Sequence, residues 1–358
     1  MANLLIRSRA PVRIDFAGGW TDVALFTRDA AGIVVNAAIQ LYSFATLKQR
    51  RNQQIIDETN SDSAQDLSQR VRIYSADFDL SVEAEDVQTL EYDGNVDLVK
   101  AAVRRMSITH GGFDLISESI APPGSGLGTS AAMGVALVAA LAKFESQTLL
   151  PFEFAELASA IEQQELEILG GKQDHYASAV GGINYMEFIG KTVKTAPLQL
   201  SANICYELEK NLVLCYTGKS RLSGNIHQNV TDAYLSGDAQ TLVALSNLRS
   251  IAQQTKEALM QGHLSTFGEL LSKNWENQKM LHASVTNDQI ESLFQMALAN
   301  GAIGGKACGA GGGGCLLFYC QPGQEHQVRK SLLEAGAQIL DFTFDFSGLQ
   351  TWTSEPEK

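Results

Sequence analysis

Ala121-Pro122-Pro123-Gly124-Ser125-Gly126-Leu127-Gly128-Thr129-Ser130-Ala131-Ala132-Met133-Gly134-Val135 is the stretch that decides this chain. It reads as a stiff loop that becomes a helix. Two prolines restrict the approach, and three glycines at alternate positions permit backbone angles that a Cβ disfavours. Thr129 or Ser130 is expected to cap a helix over residues 131–143. A glycine-rich loop feeding a helix N-terminus offers unpaired N–H groups and the positive end of a dipole, which suits an anion and phosphate above all. The pattern Gly-x-x-x-x-Gly-Lys-Ser/Thr is not met, because Gly128 is followed directly by Thr129. Without that lysine, backbone amides and a metal would have to neutralise the phosphates. The plain alternative is a turn before a buried helix.

Upstream, Val12-Arg13-Ile14-Asp15-Phe16 alternates apolar and charged residues, the period of a half-buried strand. Val12, Ile14 and Phe16 face the core, while Arg13 and Asp15 share the other face. Residues 4–16 are expected as two short strands broken at Pro11. A tight turn follows, Ala17-Gly18-Gly19-Trp20-Thr21-Asp22. Either charged residue also fits a plain role, Arg13 on a solvated strand face and Asp22 as a turn or cap residue. Residues 32–47 read as a long buried strand, 50–69 as a polar hairpin excursion, and 71–74, 80–84 and 113–120 as further strands. Helical spacing is expected over residues 97–106.

Downstream, residues 151–169 read as an amphipathic helix with Glu162 at the edge of its apolar stripe. Gly170-Gly171-Lys172-Gln173-Asp174-His175 follows, with Asp174 a candidate N-cap. Residues 181–188 are a turn into a strand, and 208–216 an apolar strand. The cationic, hydroxyl-rich residues 217–223 contain Lys219 and Arg221; they read as an anion-holding loop or a solvated one. Helices are expected over 239–260, 264–281, 288–299 and 325–335, with strands at 315–320 and 338–346. Gly309, Gly311, Gly312, Gly313 and Gly314, interrupted only by Ala310, suggest close approach of backbone to another segment or a ligand.

The 358 residues allow one or two domains. Composition is that of a globular chain, with 45% hydrophobic and 19% charged residues. A net charge of −13 argues against nucleic-acid or membrane-surface partners. No signal-like apolar stretch precedes Arg7, Arg9 and Arg13, and the five cysteines read as reduced core residues, so a cytoplasmic address is expected.

Three separated features, residues 13–22, 122–132 and 304–314, resemble in order and spacing the signature segments of the superfamily containing galactokinase, homoserine kinase, mevalonate kinase and phosphomevalonate kinase. The resemblance covers nearly the whole chain. It implies an α+β fold of two lobes around a central cleft, with an ATP-binding lobe over residues 1–190 and a second lobe over 191–358. Within the superfamily, the residues around Arg13, Asp22, Asp174 and Lys306 are similar to those of D-glycero-D-manno-heptose 7-phosphate kinases, and the Gly18–Asp22 turn is also similar to L-fucokinases. Trp20 departs from the heptose kinases, which carry a smaller residue, so a narrower pocket or an added stacking face is expected.

The resemblance assigns roles by position. Asp174 would orient or deprotonate the attacking hydroxyl, with Arg13 beside it. Pro123, Gly124, Ser125, Gly126, Leu127, Gly128, Thr129, Ser130 and Ala131 would hold ATP. Ser130 and Glu162, with Glu165 as fallback, would bind Mg²⁺. Asp22, Gly19, Lys172, Arg221 and Gly311 would line the sugar site, and Lys172, Lys219, Arg221 and Lys306 are the cations for a substrate phosphate. The expected activity is an ATP-dependent sugar 1-kinase. Its substrate would be heptose 7-phosphate or, alternatively, L-fucose or another unphosphorylated sugar. A non-catalytic sugar- or nucleotide-binding regulator is the reading from another class. No nucleic acid or membrane partner is expected, and the protein is taken as a monomer or homodimer.

Overall fold

The computed structural model describes residues 5–28, 30–50, 69–109, 111–218 and 223–354; the expected polar excursion falls almost wholly outside them. Strand β1 (Leu5–Ala17) pairs antiparallel with β2 (Gly32–Gln49) along nearly its whole length. The break expected at Pro11 is instead a register shift between Pro11 and Val12 inside one strand. The irregularity accommodates a residue that has no N–H to donate.

The chain continues through β3 (Val71–Ser75), β4 (Leu80–Ala84), α1 (Asp97–Arg105), β5 (Phe113–Ser119), α2 (Thr129–Phe144), α3 (Pro151–Ala160), α4 (Gln173–Val180), β6 (Ile183–Ile189) and β7 (Thr192–Pro197). It then runs α5 (Ala202–Asn211), β8 (Leu212–Tyr216), α6 (Ser223–Leu235), α7 (Ala239–Gln261), α8 (Leu264–Leu281), α9 (Asp288–Ala299), β9 (Ala302–Ala307), β10 (Cys315–Cys320), α10 (Glu325–Glu334), β11 (Gln338–Leu340) and β12 (Gln350–Ser354).

Two sheets organise these elements into two lobes. The first has the order β12-β1-β2-β5-β3-β4, with β6 also on β2 and β7 on β6. The second has the order β11-β8-β10-β9. The division expected at residue 190 falls in the turn between β6 and β7, inside the first sheet, and β12 returns to that sheet from the end of the described chain. Residues 208–211 finish a helix rather than opening a strand, since Asn211 Nδ2 bonds back to the Glu207 carbonyl at 2.8 Å. The strand expected over 338–346 stops at Leu340, and the chain then crosses to β2, where Gln40 N donates to Thr343 O and Asp345 N to Ala38 O, both at 2.9 Å.

Helix α2 lies against β1 and β2 and is buried over Ala131–Ala142. Its alanines allow this close contact. Ser8 in β1 donates to the Ala136 carbonyl at 2.6 Å. A second core gathers β8–β10 with α7–α10, and Trp20, Val23 and Phe26 pack into it from the turn after β1. That turn therefore ties the first lobe to the second beside the cleft between them.

Candidate active site

Gly124, Gly126 and Gly128 hold φ at 67°, 75° and 74°, the left-handed region that glycine adopts without cost. Space is short as well. A methyl group at Gly126 would lie 2.5 Å from the Cys308 carbonyl oxygen, and one at Gly128 3.0 Å from Asp174 Oδ2. The cap expected from Thr129 or Ser130 is not formed. Gly128 is the N-cap, no side chain caps the helix, and Thr129 and Ser130 are its first two residues. The helical ladder begins with Ala132 N to Gly128 O, 2.9 Å. The amides of residues 129–131 therefore carry the positive end of α2 without a capping acceptor, as anion binding requires.

Three hydrogen bonds from two residues anchor the loop. Arg13 N donates to Leu127 O at 2.9 Å, Arg13 Nη1 to Gly126 O at 2.7 Å, and Cys315 N to Ser125 O at 2.7 Å. The glycine-rich segment after β9 packs on it backbone to backbone, with Gly309 against Gly126 and Gly314 against Ser125. Gly309 and Ala310 line the cleft, whereas Gly311 turns against Val285 and does not.

Arg13 and Asp15 project from one face of β1 and are 3% and 2% exposed, so that face is the cleft floor, not a solvated one. Arg13 holds Asp174 Oδ1 from Nε at 2.8 Å and Nη2 at 2.7 Å. Burial alone would lower the guanidinium pKa; Asp174 and Asp15 outweigh it and raise it. Asp174 is the second residue of α4 rather than its N-cap, and its side chain reaches the loop at Gly128.

Asp22 lies across the cleft from the loop, with Oδ2 accepting from Gln173 N at 3.1 Å. A methyl on Gly171 would sit 1.8 Å from that oxygen, which accounts for glycine beside Lys172. Burial first, then the charge of Asp174, pushes the Asp22 carboxyl up to about 6. Gly19, Trp20, Gln173 and His227 complete this end of a cleft of about 500 Å³.

The helix expected over 151–169 ends as α at Ala160 and continues as one π-helical turn, Ile161–Glu165. This wider turn buries Glu162. Glu162 Oε1 accepts from the Ser130 hydroxyl, and Oε2 lies 2.9 Å from His175 Nε2. Burial would raise the Glu162 carboxyl, but His175 and Ser130 outweigh it and hold it below the usual carboxylate range. Burial likewise opposes a charge on His175, and Glu162 more than offsets it, raising the imidazole. Glu165 points elsewhere, paired with Arg105 at 3.0 Å. No group of three or more His, Cys, Asp or Glu that could hold a metal occurs among the described residues. A cation at Ser130 and Glu162 would find two chain oxygens and draw the rest of its shell from phosphates and water, a donor set that fits Mg²⁺.

Two of the four expected phosphate-holding cations are engaged. Lys172 Nζ is held by both oxygens of Glu156, at 2.7 and 2.9 Å, outside the cleft lining. Lys306 is fully buried against Asp15 at 2.7 Å. Lys219 and Arg221 lie outside the described residues. Sequence reasoning missed Asp15, Gln173, His175 and His227 as site residues. Asp15 shared a strand face with Arg13 and His175 directly follows Asp174, and both signals were there to use; His227 had none.

A glycine loop with uncapped helix amides, a carboxylate beside it and a cleft between two lobes are the parts expected of a small-molecule phosphotransferase. Models of the GHMP kinases match this chain in two stretches, the N-terminal domain over residues 97–182 and the C-terminal domain over 255–338. The chain belongs to the GHMP kinase family, and it is a carbohydrate kinase that takes its phosphate from ATP. It is 34% identical to the D-glycero-alpha-D-manno-heptose 7-phosphate kinase of Campylobacter jejuni, covering 97% of this chain and 98% of that one. A D-glycero-D-manno-heptose 1-phosphate kinase from Bacteroides thetaiotaomicron superposes with a TM-score of 0.78 at 30% identity, covering 98% and 100% of the two chains. The Arabidopsis thaliana bifunctional fucokinase/GDP-fucose pyrophosphorylase is 27% identical over 92% of this chain but only 31% of its own length. Lactococcus lactis galactokinase shares the fold, with a TM-score of 0.73 at 18% identity over 98% and 95% of the two chains.

Proposed function

We propose that the enzyme phosphorylates the anomeric hydroxyl of D-glycero-D-manno-heptose 7-phosphate, yielding the 1,7-bisphosphate. The observation that carries a phosphoryl transfer here is the contact between Asp174 and the amide loop at Gly128. The loop amides and the start of α2 hold the triphosphate of ATP. Asp174 receives the acceptor hydroxyl and takes or directs its proton, while Arg13 fixes the carboxylate and places positive charge beside the transferring group. Catalysis on this plan is positioning and charge stabilisation. Ser130 and Glu162 would hold Mg²⁺, which would neutralise charge on the phosphates when bound. Asp22 accepts a sugar hydroxyl, and Lys219 and Arg221 remain the cations proposed for the sugar's own phosphate, since Lys172 and Lys306 are committed to Glu156 and Asp15. The free, mainly buried thiols support a reducing, cytoplasmic setting.

One observation favours an unphosphorylated sugar, such as L-fucose, as the second reading. Among the described residues lining the cleft, Arg13 is the one Lys or Arg, while Asp15, Asp22 and Asp174 all face it. A coupled ADP-release assay over heptose 7-phosphate, the free heptose, L-fucose and galactose separates the two, with phosphorus NMR fixing the position. Preference for heptose 7-phosphate with a C1-phosphate product supports the first reading. Preference for a free sugar replaces it, and absence of turnover on every sugar overturns both.

A further inference from the structure

We propose that Asp15 is a specificity-determining residue whose Oδ1 accepts a ring hydroxyl of the acceptor sugar. This rests on the sugar-kinase reading of the cleft and adds a contact to it. Asp15 is 2% exposed and lines the cleft. Its Oδ2 is held by Lys306 Nζ at 2.7 Å, and the same ammonium donates to the Asp15 carbonyl at 2.8 Å. Its Oδ1 has no hydrogen-bond partner. A buried carboxylate oxygen left without a donor is costly, and one at the lining of a cleft is placed where a ligand hydroxyl can supply the donor.

The surroundings say which donor. Arg13, two residues along the same strand, is spent on Asp174 and the Gly126 carbonyl. The Gln173 backbone amide donates to Asp22, and its side-chain Oε1 accepts from Asn36 Nδ2 at 3.4 Å. Asp22 is pushed up to about 6 by burial first, with Asp174 and Asp15 adding to it, so the field at this end is negative. A phosphate or carboxylate would be repelled there, whereas hydroxyl hydrogens would be attracted. Trp20 forms the adjoining wall. It holds φ at 79°, a strained value for a residue with a side chain, and its ring lies 4.5 Å from that of His227. Its Nε1 is also buried without a partner. An aromatic face beside an unpartnered acceptor and donor is the chemistry that binds a polyhydroxylated ring. Any phosphate on the substrate would then sit at the opposite end of the sugar from Asp15. Lys306, expected to hold such a phosphate, is instead the residue that positions Asp15.

The test is steady-state kinetics of Asp15→Asn with the preferred sugar and its monodeoxy and deoxyfluoro analogues. Turnover by the wild-type enzyme is read first and alone decides the kinase reading. For Asp15, we expect sugar KM to rise about 10- to 100-fold with ATP affinity unchanged. One deoxy position that costs the wild type dearly should cost the variant nothing more. A variant with wild-type sugar KM and an unchanged analogue profile overturns the proposal. Because Asn would leave Lys306 buried without its counter-ion, Asp15→Asn/Lys306→Met is made in parallel and is expected to show the same loss. Should neither variant fold, the wild type still decides. Carboxylates at Asp15 and Asp22 demand two separate ring positions where deoxy and deoxyfluoro analogues lose equally, since fluorine donates no hydrogen; fewer than two overturns the proposal.

Discussion

Arg13 binds a single oxygen of Asp174 through two nitrogens, Nε at 2.8 Å and Nη2 at 2.7 Å, while its Nη1 reaches the Gly126 carbonyl at 2.7 Å. One guanidinium thus joins the carboxylate to the loop that precedes α2. Only a planar fork does both. Arg13→Lys is expected to retain one of these contacts at most, lowering kcat and also weakening ATP binding. Calorimetric titration of ATP alongside kcat checks both effects.

Asp174→Asn keeps the shape and removes the proton acceptor. Turnover should fall about 100- to 10,000-fold, with ATP affinity within a few-fold of wild type. Unaltered turnover would take Asp174 out of the chemistry.

Gly128→Ala meets two obstacles together, φ at 74° and a methyl 3.0 Å from Asp174 Oδ2. The expected costs are about 1–3 kcal/mol of stability and a higher KM for ATP. Denaturant titration reads the first and kinetics the second.

Asp22 makes stability depend on pH. Its carboxyl is raised to about 6, chiefly by burial, against 3.8 for the unperturbed group. A raised folded-state pKa contributes stability that is complete below the unfolded value and is lost as pH climbs through about 6. Asp22→Asn cannot ionise, so it should gain on the wild type by about 2 kcal/mol between about pH 4.5 and about pH 7.5. Urea titrations of both proteins at the two pH values measure the difference. Sugar KM should rise in the same variant.

Glu162 and Glu165 lie on one turn but do different things, the first against Ser130 and His175, the second on Arg105. Glu162→Gln should raise the Mg²⁺ needed for half-maximal rate at least about 10-fold, and Glu165→Gln should leave it unchanged. A shift in the second variant but not the first would reverse the assignment.

Much of this protein was decided by short-range information. The alternation around Arg13 placed it on one strand face with Asp15, the glycines of residues 124–128 demanded left-handed backbone, and α7, α8 and α9 fall where helical spacing put them. Such features depend on φ and on side-chain period, which a few neighbouring residues settle. The partner of each charge was a different matter. Arg13 and Asp174 are 161 residues apart, and Lys306 and Asp15 are 291 apart. Lys172, which read as a substrate ligand, was claimed by Glu156, and Glu162 turned inward because a π-helical turn changed its register. Burial removes water as a competitor, so each buried charge takes whichever opposite charge the packed sheets and helices bring to it. Chain order carries no trace of that choice, and only the assembled lobes made it.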